Sequence, residues 1–188
     1  MRDLVRFLPL KSQFVLSGNV RDLQIAQNGD GALAPVPLVQ AVHLELLTQG
    51  YGATLVYDLV TGFRSFGTTE AEVSAGRQVL QRLSLTIDAA GNVPAGPAVL
   101  QDVLARFVAL DGPPVALIID FASRLLVRSD LPSVAEQRLF AHALVHAHRA
   151  TQRPAGPNRT PAFNTVMWVV EREGSLPDWL TIDNPRVR

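Results

Sequence analysis

Four stretches of the chain are continuously apolar and do not alternate with polar residues: 13–17 (QFVLS), 53–60 (ATLVYDLV), 115–120 (VALIID) and 165–170 (TVMWVV). Their branched and aromatic content fits strands, and the lack of alternation predicts a sheet covered on both faces. Between them the apolar positions recur at helical spacing. Leu38, Val39, Val42, Leu46 and Leu47 predict a helix to Gln49, with Gly50 at its C-terminal cap. Thr69 and Glu72 have capping-box spacing and open a helix to about Leu83; Ser133 and Glu136 do the same for a helix to about Arg149. Pro97 fits the first turn of a helix to Leu110.

The remaining segments read as connections. Residues 19–37 contain Asn28-Gly29-Asp30-Gly31 and predict an exposed loop or hairpin; residues 153–163 (RPAGPNRTPAF) predict a loop. Leu83–Ile87 is apolar enough for a short strand within an otherwise Pro- and Gly-rich connection. Strand and helix thus alternate four times, which predicts an α/β three-layer sandwich with a mainly parallel sheet, one domain over residues 1–188.

Composition narrows the function classes. Lys plus Arg and Asp plus Glu are each 17, so the net charge is zero and nothing in it favours nucleic acid or an acidic membrane. Basic residues are scattered, not interleaved with aromatics. Zero cysteines exclude disulfides, thiolate metal sites and a cysteine nucleophile. The first residues lack the apolar run of a secretory signal, and no stretch is long and apolar enough to span a bilayer, so a soluble cytoplasmic protein is expected. Lys11 is the sole lysine, beside 16 arginines, so any chemistry needing a lysine must use it.

Ligands of open parallel sheets bind at the carboxyl ends of the strands. The polar residues there are Gly18, Asn19 and Arg21 after the first strand, Asp58 at the second, Asp120 after the third, and Glu171, Arg172 and Glu173 after the fourth. Strand ends carry polar residues in any case, so this edge is read either as a vestigial nucleotide site or as an ordinary solvated rim. Asp120 closes an apolar strand as a magnesium-binding acid does in nucleotide hydrolases, yet Phe121 stands where a water-orienting glutamate would be. A phosphate-cradling GxxxxGK[ST] loop is absent: Lys11 precedes the first strand, and Arg21 is too bulky to take the lysine's place.

Other chemistry is weaker. His142 and His146 share a helix face, with His148 nearby, and could chelate a metal given a further ligand, but the sequence HALVH is not HExxH. Histidines in the last turns of a helix also suit its dipole. Neither GxSxG nor GxGxxG occurs. Thr69 is read as a cap, Trp168 as core and Trp179 as a packing residue.

The order strand, helix, strand, helix, strand ending in Asp, helix, strand resembles the large subdomain of AAA+ ATPases. The run WVVEREGSLPDWLTIDNPRVR is similar to that family's sensor strand and the segment after it: Glu171 and Arg172 fall at the sensor position, Leu176-Pro177-Asp178 at a turn, and Asp183-Asn184-Pro185-Arg186 at an arginine segment. FVLSGNVRDL, GYGATLVYDLVTG, VALIIDFASRL and WVVEREGSLPDW together resemble the N-terminal, phosphate-loop-less domain of a group of large bacterial AAA+ proteins. The resemblance implies a degenerate, non-hydrolysing domain that serves assembly, regulation or partner binding in a longer ATPase. Its partners would be a downstream AAA+ module and other protein subunits, including copies of itself, with Arg172 and Arg186 at the interface. No cofactor is expected beyond weak binding of ATP and Mg2+ at the edge formed by Gly18, Asn19, Arg21, Asp120, Glu171 and Arg172. Two alternatives stand beside it: a nucleotide-binding ATPase with Asp120 on magnesium and Glu171 or Glu173 as base, and an independent metal-dependent enzyme built on His142 and His146.

Overall fold

A computed structural model describes residues 2–27, 31–126, 132–172 and 174–181. In chain order the elements are α1 (Arg2–Phe7), β1 (Gln13–Leu16), β2 (Gln24–Gln27), β3 (Leu33–Val36), α2 (Leu38–Thr48), β4 (Ala53–Asp58) and β5 (Gly62–Phe66). They continue with α3 (Glu70–Arg82), β6 (Asn92–Val93), α4 (Pro97–Val108), β7 (Val115–Ile119) and a 3-10 turn at Ala122–Leu125. The last are α5 (Val134–Arg149), β8 (Gln152–Arg153), β9 (Ala162–Phe163), β10 (Thr165–Val169) and α6 (Asp178–Thr181).

The main sheet has six strands in the order β1-β10-β7-β4-β5-β6. The four apolar stretches are its parallel core: Phe14 pairs with Met167, Val166 with Leu117, and Leu55 with Leu117. Alternate residues of each strand enter opposite cores. Leu55, Tyr57, Leu117, Ile119, Val166 and Trp168 face a cluster shared with α3, α4 and α5. Val56, Ala116, Ile118, Met167 and Val169 face a smaller cluster with Leu4 of α1, Leu8 in the turn after it, and Val42 and Leu46 of α2. This is why the strands read as unbroken apolar runs: both pleat faces are buried.

Both capping boxes form: Thr69 Oγ1 accepts from the Glu72 amide and Ser133 Oγ from the Glu136 amide, each glutamate reaching back to the cap backbone. Pro97 opens α4. The segment after β1 is a hairpin of β2 and β3.

Several expectations change. The second strand ends at Asp58, not residue 60, because the Asp58 carboxylate accepts from the amides of Val60 and Thr61 and turns the chain back into β5. β5 and β6 add antiparallel pairs to the parallel core. Leu83–Ile87 forms no strand. Ser84 is left-handed at φ 58°, and the Leu85 amide returns to the Leu80 carbonyl, so these apolar residues close α3 and fill the core. The segment read as a loop at 153–163 carries two residue pairs of a small hairpin, Gln152 with Phe163 and Arg153 with Ala162.

Buried polar side chains tie the layers together. Gln13 donates to the Ala143 carbonyl at 2.7 Å and accepts from the Trp168 indole at 3.0 Å, linking β1, α5 and β10. Asn164 accepts from the Val115 amide and donates to the carbonyls of Phe107 and Leu110. Tyr51 shares a 2.7 Å hydrogen bond with Thr165, and burial pushes its phenol well above the ordinary tyrosine range. No helix among the described residues is long and apolar enough to cross a membrane.

Candidate functional site

The carboxyl edge of the parallel strands is where a ligand would sit, and its geometry starts at the end of β1. Gly18 adopts φ +100°, which favours glycine, and the Val20 and Asp22 amides bond back to the carbonyls of Gly18 and Asn19. This tight turn aims Arg21 across the edge. Its Nη1 donates to Asp120 Oδ1 at 2.7 Å, and its guanidinium lies 3.6 Å from the centroid of the Phe121 ring.

Asp120 continues the β7–β4 ladder through its amide, which donates to the Tyr57 carbonyl at 2.8 Å. The same Oδ1 that takes Arg21 also accepts from the Phe121 amide at 2.8 Å. Phe121 is left-handed at φ 52°, a strained conformation for a bulky residue, and it presents its ring outward beneath the arginine. The Asp120 side chain is 13% exposed and that of Arg21 38%. Sequence spacing brought both residues to one edge, and the fold joins them directly.

Next to this pair lies a cleft of about 170 Å³ lined by Val20, Arg21, Leu23, Leu38, Asp120 and Val169. Its walls are mostly apolar. In a phosphate loop the turn after the first strand opens straight into a helix whose amides hold the phosphates. Here residues 17–37, with the β2–β3 hairpin, intervene, and α2 begins behind Pro37, which lacks an N–H and makes no side-chain cap. Gly18 and Asn19 shape the turn without lining the cleft.

Glu171 and Asp58 are engaged elsewhere. Glu171 pairs loosely with Arg124 at 3.7 Å, both well exposed. Arg172 is exposed in the turn beside it. Glu173 and Arg186 lie outside the described residues. Burial works against ionisation of Asp58, yet bonds from Thr61, Val60 and Arg64 prevail and hold its carboxyl at about 2, so it is a turn residue.

On α5 the His142 and His146 rings are 5.8 Å apart. Burial, then the charges of His142 and Arg149, push the His146 pKa down. No group of three histidine, aspartate or glutamate side chains suited to a metal occurs among the described residues, so the third ligand that the pair needs is missing there. Trp168 is fully buried, as expected of core, whereas Trp179 is 39% exposed on the short α6.

Two features were not singled out in the sequence. His43, 1% exposed on α2, bonds Thr54 Oγ1 at 2.9 Å through Nδ1 and Glu72 Oε2 at 3.0 Å through Nε2. Its signal was a lone histidine inside the apolar face that carries Val42 and Leu46. The second is the outer face of the β2–β3 hairpin. Leu23, Ile25 and Leu33 are 63, 68 and 73% exposed, and Ile25 pairs with Pro35. Four apolar residues are thus exposed on the hairpin, and one of them, Leu23, also lines the cleft.

A family model described as "AAA+ chaperone, N-terminal Rossmann-like domain" matches residues 1–188. No curated protein and no solved structure matches.

Proposed function

The chain belongs to the family of N-terminal Rossmann-like domains of AAA+ chaperones, and from that membership we propose that it is a non-hydrolysing, partner-binding domain of a longer cytoplasmic AAA+ ATPase. The observation that carries this reading is the Arg21–Asp120 pair. A magnesium ion would need the Asp120 carboxylate, which already takes a guanidinium and a backbone amide on Oδ1. A cation would have to displace that charge-assisted bond, and no lysine lines the cleft to hold a phosphate beside it.

The apolar hairpin supports the protein-binding half of the reading. Exposed Leu23, Ile25 and Leu33 beside a small apolar cleft suit a protein surface better than a phosphate chain. Partners in this reading are the ATPase module of the same protein and neighbouring subunits, with Arg172 at the rim and Arg186 contributing from beyond α6. Family membership supports a domain that meets other protein.

Calorimetric titration with ATP and magnesium tests the first half. The expected result is no saturable heat up to millimolar nucleotide and no phosphate release above background. Micromolar binding that Asp120→Ala abolishes would overturn the non-hydrolysing assignment and favour the nucleotide-binding ATPase. The second half is tested by binding the domain to the purified ATPase module of its parent protein. Ile25→Ser with Leu33→Ser should weaken that binding at least tenfold.

A further inference from the structure

A second cleft, of about 390 Å³, opens at the amino-terminal edge of the sheet, where α1 leads into β1 and the loop before β9 passes the C-terminal end of α2. Its polar lining is Arg6, Gln49, Asn158, Arg159 and Thr160. No carboxylate lines it. Neither guanidinium is in an ion pair among the described residues, although this chain has as many acids as bases. Arg6 stacks near Phe7, 5.7 Å from the ring centroid.

Arg159 is seated by the backbone opposite. Gly50 adopts φ +87° at the end of α2, and a Cβ there would stand 2.7 Å from Arg159 Nη1 and 2.9 Å from its Cδ. The glycine therefore does two things: it ends the helix, and it leaves room for the arginine stem to lie across the turn. Loop and turn are further joined where Gly50 approaches the Ala155 carbonyl.

We propose that this cleft binds a small phosphate ester, its phosphate held by Arg6 and Arg159 and its organic part against Val5, Leu8 and Ala162. The charges match: a phosphate monoester carries roughly −1.5 to −2 near neutral pH, and two guanidiniums balance it. Gln49, Asn158 and Thr160 add neutral donors for the remaining oxygens. The volume is too large for a bare ion and lies within the range of small-molecule sites, about 300–1,000 Å³. The site is on the opposite edge from Arg21 and Asp120, so it stands or falls independently of the proposed function.

The test is an amide NMR titration of the domain with glycerol 3-phosphate, at ionic strength held constant with sodium chloride. Parallel titrations use inorganic phosphate and a hexaglutamate peptide. Saturable shifts confined to residues 4–9, 49–51 and 158–162 are expected for the ester, with affinity at least tenfold weaker in Arg6→Gln and in Arg159→Gln. Arg77→Gln, on the far face of α3, should bind as the parent does. Thermal melts of the variants check that each is folded, which the exposure of both arginines favours. Shifts that do not saturate, that survive both substitutions, or that follow hexaglutamate in preference to the ester would overturn the proposal.

Discussion

His43 and Glu72 share a 3.0 Å hydrogen bond that joins α2 to the first turn of α3. Burial opposes ionisation of Glu72, but bonds from His43, the Thr68 amide and hydroxyl and the Thr69 amide outweigh it and bring its pKa down to about 2. An ionised carboxylate only accepts, so His43 Nε2 carries the proton and donates. In the neutral ring Nδ1 then accepts from the Thr54 hydroxyl. One glutamate thus completes a helix cap and anchors a buried imidazole.

This arrangement sets an acid sensitivity. Because the folded pKa of Glu72 lies below its unfolded value, the stabilisation is fully present above about pH 4.5 and is lost as pH falls towards 2. Asp58 acts in the same direction. Urea midpoints at pH 7, 4.5 and 3 should fall steeply in the last interval, and Glu72→Gln should flatten that fall while costing about 1–2 kcal/mol at pH 7.

His43→Ala removes a fully enclosed ring that also packs edge-on against Phe66 at 5.2 Å, and strands Thr54 Oγ1. A loss of about 2–4 kcal/mol is expected from cavity and unmet hydrogen bond together, read from denaturant unfolding.

The Arg21–Asp120 pair is half-open to water on the arginine side, so its contribution to stability is modest. A double-mutant cycle with Arg21→Ala and Asp120→Ala should give a coupling of about 1 kcal/mol that shrinks in high salt. Neither single variant should acquire ATP hydrolysis. A coupling near zero would mean that the pair does not hold in solution.

Gly62 begins β5 at φ +74°, and a Cβ there would lie 2.0 Å from the Val93 carbonyl of β6. Gly62→Ala should therefore destabilise by more than about 2 kcal/mol through strain and displacement of β6. Hydrogen exchange should quicken first in β5 and β6. Equal acceleration across β7 and β10 would contradict that local origin.

Gln13→Leu keeps the volume of a residue 1% exposed but leaves the Trp168 indole N–H unpaired and removes the second bond to the Ala143 carbonyl, which keeps its place in the α5 ladder. A cost of about 2–3 kcal/mol is expected. Near-ultraviolet dichroism of the buried Trp168 should change in the folded state, while the fluorescence of half-exposed Trp179 stays constant.

The elements legible in the sequence were those whose signals are local. Thr69 with Glu72 and Ser133 with Glu136 announced two helix starts because a cap needs only neighbours in the chain. The strands at 53–58, 115–119 and 165–169 announced themselves because each buries both faces. β5 escaped because GFRSF mixes buried Phe63 with polar Arg64 and Ser65, and its pairing depends on the Asp58 turn. At the site, spacing delivered Arg21 and Asp120 to one edge. What made them partners was the curl of residues 18–22 and the left-handed Phe121, neither of which leaves a pattern in residue types.

Strand order also governs how the domain comes into being. β1 leaves the ribosome well ahead of its one partner in the sheet among the described residues, β10, which lies roughly 150 residues later. At about 5–20 residues per second that partner arrives on the order of ten seconds afterwards. Until then Phe14 and Gln13 have no strand beside them, and β7 keeps an open edge. β10 must enter between two strands already made, so the sheet closes by driving a wedge into a gap. A translational pause or a truncation just ahead of β10 would therefore leave β1 without its strand partner and the apolar edge of β7 open.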